Sequence, residues 1–72
     1  VARNMIAYYI QRIISHYQDI RFDLDNLSRY ASEIYGAPLE AYICGGNEIV
    51  FCCTDPSSPK YTDKDLTLDD IL

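Results

Sequence analysis

Tryptophan is missing from this chain, histidine and methionine occur once each, and only three cysteines, three glycines and three prolines punctuate its 72 residues. Each scarcity excludes something. His16 is the only imidazole, so a soft-ligand metal site would have to be assembled from it and Cys44, Cys52 and Cys53. Structural zinc sites bring their ligands in close pairs such as C-x-x-C, and this spacing does not occur. Three cysteines is also an odd number with no framework pattern, and no apolar run approaches the length of a signal-peptide core or a membrane span. The expectation is a chain in the reducing cytoplasm, with no metal and no cofactor. Cations are few as well: six Lys and Arg stand against eleven Asp and Glu, a net charge of −5. That balance opposes nucleic-acid binding, where affinity comes mainly from cationic counterion release. Residues 54–72 carry −3 of it and residues 1–53 the other −2. The first residue is Val rather than Met, which fits a segment of a longer chain.

What the chain has in quantity is aliphatic residues and tyrosine, seven of the latter. The longest periodic run is Met5 to Ile20. At about 100° per residue, Met5, Ile6, Tyr9, Ile10, Ile13, Ile14, Tyr17 and Ile20 share one half of a helical wheel, and Asn4, Ala7, Tyr8, Gln11, Ser15, Gln18 and Asp19 the other. An arc that wide needs more than one neighbour. Asp23 then offers a cap for a second helix starting at Leu24, in which Leu24, Leu27, Ala31 and Ile34 form a narrow stripe. Gly36 suits the left-handed position that ends a helix, and Pro38 prevents its resumption.

After Pro38 the period becomes twofold, and Leu39 to Cys53 reads as a hairpin around Gly45-Gly46-Asn47. A three-residue loop, with Asn47 suited to positive φ at its end, pairs Ile43 with Ile49, Ala41 with Phe51 and Leu39 with Cys53. That register gathers these six residues on one face. A two-residue loop would set Ile43 against Glu48 and mix charge with apolar surface on both faces, so burial selects the longer loop. The other face holds Glu40, Tyr42, Cys44, Glu48, Val50 and Cys52. A two-stranded sheet leaves both outer edges unpaired, which invites a partner strand.

Asp55-Pro56-Ser57-Ser58-Pro59 reads as a linker. The expected organisation is a helix-helix-hairpin core over 1–54, a Pro/Ser linker over 55–60 and an acidic tail over 61–72. Thr67 with Asp70 fits a helix cap, so the tail can form a short helix, although a short acidic end favours fraying over docking.

Catalytic readings rest on residue types alone. Cysteine chemistry with His16 as base lacks an oxyanion loop; Asp63, Asp65, Asp69 and Asp70 lack the central Gly and closing Glu of a calcium loop; Gly45-Gly46 has no following helix or Lys to hold phosphate. Helix, helix, hairpin is also the order of a truncated winged-helix DNA reader, but the period after Gly36 is that of a strand where a recognition helix should run.

The sequence therefore predicts an α+β domain, two N-terminal helices packed on a β-hairpin with an acidic tail. A chain this small is near the lower limit for a self-sufficient core, so the expected role is a non-enzymatic protein-protein interaction module, most economically a homodimer. Expected contact residues are Tyr42, Val50 and Cys52 on the outer hairpin face, with Tyr8 and Tyr35 as secondary candidates, because tyrosine is enriched in interfaces. The alternatives are an acidic inhibitor or nucleic-acid mimic, of the kind phages and mobile elements use, and a winged-helix-like DNA-binding regulator.

Overall fold

In the computed structural model, which describes residues 2–16, 20–45 and 48–72, the chain runs α1 (Ala2–His16), α2 (Ile20–Tyr35), β1 (Leu39–Cys44), β2 (Glu48–Cys53) and a one-turn α3 (Leu68–Ile71). This is the expected α+β arrangement of two helices packed on an antiparallel hairpin. The boundary between the helices differs from the sequence expectation. Ile20 begins α2 rather than ending α1, and Asp23 lies inside the first turn of α2 instead of capping it. The physical reason is a tertiary partner: Arg12 Nε of α1 donates to Asp23 Oδ1 at 2.9 Å, and Asp23 is only 2% exposed. A carboxylate near a helix N-terminus also complements the positive end of the helix dipole. Tyr17, Gln18 and Asp19 lie outside the described residues.

The C-terminal end of α2 follows the sequence reading. Gly36 has φ +93°, and its N–H donates to Ser32 O at 2.9 Å. A clasp from the tail secures the same end: Lys60 Nζ donates to Tyr35 O at 2.9 Å, Tyr35 Oη donates to Lys60 O at 2.7 Å, and the ammonium sits 5.3 Å from the Tyr35 ring centroid. A cation there satisfies a terminal carbonyl and the negative end of the helix dipole together.

The hairpin register is the one that burial selects, from Leu39 opposite Cys53 to Cys44 opposite Glu48. Gly46 and Asn47 are outside the described residues, and with them the expected positive φ at Asn47. Leu39, Ala41 and Phe51 face the core and are buried; Ile43, Ile49 and Cys53 lie at its margin.

The edges of the sheet depart from expectation, because both are partly claimed within the chain. In this register the N–H and C=O groups of Leu39, Ala41 and Ile43 point away from β2. Leu39 N–H donates to Ser32 Oγ and Ala41 N–H to Ser28 Oγ, each at 2.8 Å. Each serine passes its own proton back along the helix, Ser28 to Leu24 O at 2.8 Å and Ser32 to Ser28 O at 2.7 Å. Mid-helix serines commonly bond back to the preceding turn; here their free lone pairs also cap a strand. On the far edge, Phe51 and Leu66 exchange two backbone hydrogen bonds of 2.8 Å.

That bridge anchors the tail, whose Leu66 and Ile71 join the core formed by Ile6, Ile13, Leu27, Ala31, Leu39, Ala41 and Phe51. The tail is docked, contrary to the expectation of fraying, because its apolar residues complete a core that two helices and two strands leave open. At the N-cap of α3, Thr67 N–H and Oγ1 donate to Asp70 Oδ2 at 2.9 and 3.2 Å. These bonds hold the Asp70 carboxyl below its ordinary pKa, the backbone N–H contributing most. α1 keeps Ile6 and Ile13 in the core, whereas Ile14 is 50% exposed: the apolar arc is wider than its cover.

Candidate functional site

Tyr8, Tyr9 and Arg12 occupy neighbouring positions on α1, one turn apart or adjacent, so their side chains cluster. α2 sets Phe22 and Tyr30, eight residues apart, against them. The result is a connected set of four rings. Tyr9 meets Tyr8 edge-on (centroids 5.1 Å, planes at 80°), meets Phe22 at 6.4 Å and 67°, and stacks on Tyr30 at 6.0 Å and 19°. Edge-to-face and offset stacking are the arrangements that ring quadrupoles favour. Arginines bracket the set, Arg12 at 5.8 Å from the Tyr8 ring and Arg29 at 4.8 Å from that of Tyr30. Hydrogen bonding to Tyr8, then to Asp23, raises the Arg12 pKa further above its already high ordinary value. Arg29 Nη2 also donates to Asn26 Oδ1 at 2.9 Å. Rings and guanidinium groups are thus held in place before any ligand arrives, yet Tyr8 is 51% and Phe22 55% exposed.

The residues expected from sequence divide around this patch. Tyr8 belongs to it. Tyr35 is committed to the Lys60 clasp. Tyr42 is exposed on the outer hairpin face, where its hydroxyl donates to Glu40 Oε2 at 3.2 Å; the Glu40 charge, more than any other neighbour, raises its pKa. Val50, directly opposite Tyr42 in the register, is 9% exposed, so its side chain offers little surface. Cys52 is partly covered, and its thiol donates to Asp65 Oδ1 at 3.1 Å.

Phe22, Arg12 and Arg29 are not among the expected contact residues. A signal for them exists: Tyr8 and Arg12 are spaced i, i+4, and Phe22, Asn26 and Tyr30 repeat every four residues.

The cysteines do not converge. Cys44 is exposed, Cys52 and Cys53 are intermediate, and all three are free thiols. Among the described residues no group of three or more His, Cys, Asp or Glu could hold a metal ion. The His16 side chain lies outside the described residues. Burial first, and the Asp65 carboxylate second, push the Cys52 thiol up to about 11 from an ordinary 9.0. Because the thiolate is the nucleophile, alkylation of Cys52 by iodoacetamide at pH 8 is expected to be about 100-fold slower in the folded chain than in urea, as read by peptide mass spectrometry. The raised pKa has a sign for stability too: the contribution is complete below pH 9 and is lost as pH climbs through 11. Equal rates in the folded and unfolded chain would remove the Asp65 contact.

Charge is segregated. Residues 39–72 hold seven acids and two lysines, while residues 1–38 balance four acids with four arginines. The hairpin and tail therefore carry the whole formal charge of −5, and the helical half presents the arginines. Among the described residues no helix is long and apolar enough to cross a membrane. Comparisons with protein-family models, curated proteins and solved structures find no match.

Proposed function

We propose that this protein is a non-enzymatic interaction module that forms a homodimer through the aromatic and arginine-bearing face of α1 and α2. The observation that carries this reading is the exposure of Tyr8 and Phe22, each more than half open, within a fixed array of rings and guanidinium groups. Aromatic residues and arginine dominate interface hot spots, and an array already held in place loses little conformational entropy on binding. The face is suited to pairing with itself, since it offers both π surfaces and the cations that pack on them. The outer hairpin face is a weaker contact, with Val50 covered, Cys52 bonded to Asp65 and part of each strand edge already claimed.

Combining Tyr8→Asp with Phe22→Asp is expected to convert the dimer to monomer, as measured by size-exclusion chromatography with light scattering, while the far-UV circular dichroism stays native. A variant that elutes and scatters as the native chain does would remove this face from consideration.

The segregated charge favours a second reading, in which the acidic hairpin and tail occupy a basic surface on another protein by electrostatic complementarity. Binding of that kind weakens steeply with salt, whereas pairing through the aromatic face does not.

A further inference from the structure

The serine ladder along β1 stops one residue short. Ser32 and Ser28 receive the edge N–H groups of Leu39 and Ala41, and one turn earlier on α2 the next position is Leu24, which has no hydroxyl to offer. By the two-residue period of the strand, the Ile43 N–H points out along the same edge, as does the Ala41 carbonyl, and neither has a hydrogen-bond partner among the described residues. Beside this open stretch lies a cleft of about 280 Å³ lined by Ile20, Arg21, Leu24, Asp25, Ala41 and Tyr42. Its volume is below the roughly 300–1,000 Å³ of sites that enclose a small molecule, and suits one apolar side chain on the Ile20, Leu24 and Ala41 surface.

The geometry points to a strand-addition site: an extended segment of a partner protein, alternating apolar and basic residues, pairs with β1 at Ile43. Strand addition draws affinity from main-chain bonds and specificity from alternate side chains. Side chains of an added strand alternate between faces. One set turns inward to the cleft, onto the aliphatic side chains of Ile20, Leu24 and Ala41, with Arg21 and Asp25 also in its lining. The next set turns outward, beside Tyr42 and Glu40 of β1, on the half of the chain that carries all the net negative charge. Apolar inward and basic outward is the pattern that matches both. The site lies on the β1 edge, its lining does not include the rings of Tyr8, Tyr9, Phe22 or Tyr30, and it does not depend on homodimer formation.

The probe is a capped Leu-Lys-Leu-Lys-Leu-Lys hexapeptide titrated into the native chain with amide NMR as the readout. The expected result is perturbation confined to residues 20–25 and 41–45, with slowed hydrogen exchange at the Ile43 amide. A Leu-Glu hexapeptide is expected to bind at least tenfold more weakly. Ile43→Pro removes the outward N–H without touching the ladder to β2, and is expected to weaken the Leu-Lys peptide at least tenfold. The proposal is overturned by perturbations that avoid the β1 edge, by equal affinity for the acidic peptide, or by unchanged binding to a folded Ile43→Pro chain. Should that variant unfold, the exchange rate of the Ile43 amide in the native chain decides alone: no slowing on saturation with peptide overturns the site.

Discussion

Arg12→Met is expected to lower the melting temperature by more than about 12 °C, a loss of about 3 kcal/mol in a domain of this size. The variant keeps most of the aliphatic stem and removes the only hydrogen-bond partner that Asp23 has among the described residues. The Asp23 side chain is 3% exposed and cannot turn to water, whereas that of Arg12 is 34% exposed and can. Removing the other partner is therefore expected to cost less than half as much: in Asp23→Asn the amide oxygen still accepts from Arg12, and the guanidinium reaches solvent if that bond fails. Thermal unfolding followed by circular dichroism separates the two. Equal losses for both variants would mean that the pair is solvated and that α1 and α2 are held by apolar contacts alone.

Phe51→Ala is expected to have the largest effect of any single truncation, about 3–5 kcal/mol against a total stability of roughly 4–11 kcal/mol for a chain this long. Phe51 is fully buried, and its backbone also holds Leu66, so the cavity opens where helices, hairpin and tail meet. The midpoint of thermal unfolding is expected to fall by about 12 °C or more, as read by circular dichroism. Ile14→Ala, on a half-exposed side chain of α1, is expected to fall within about 0.5 kcal/mol of the native chain. A Phe51→Ala midpoint within a few degrees of native would place the core elsewhere.

How much of this was legible in the residues depended on whether a signal was local. The hairpin was, because Ile43 with Ile49 and Ala41 with Phe51 sit on a common face in one register only, and a slip by one residue puts Glu48 against the core. The end of α2 was equally clear, since Gly36 and Pro38 act through their own backbones. The start of α2 was not. Asp23 has a side chain that suits a cap, and nothing nearby in sequence reveals that Arg12, eleven residues earlier, claims it. Ser28 and Ser32 pose the same difficulty. Serine in a helix reads as surface until the edge of β1 is laid beside it, and only then does the spacing of four match the strand's spacing of two.

The proposed contact surface overlaps the sequence expectation at Tyr8. Seven tyrosines signal interfaces, Tyr8 among them, but a two-stranded sheet with open edges gives the outer hairpin face the greater weight in the sequence. Leu66 and the α2 serines close part of those edges, and the proposed contact rests instead on the ring array. Tyr9, on the apolar half of α1, packs against the core as its place on the wheel implies, and it also forms the junction between Tyr8, Phe22 and Tyr30. The docking of the tail depended on Leu66 and Ile71 finding room in a core whose incompleteness only the assembled helices and hairpin display.

Sedimentation equilibrium of the native chain, over a wide concentration range at low and high salt, tests the central claim most directly. Self-pairing through a mainly aromatic face predicts a monomer–dimer equilibrium that changes little with salt. A single monomeric species at every concentration would contradict it.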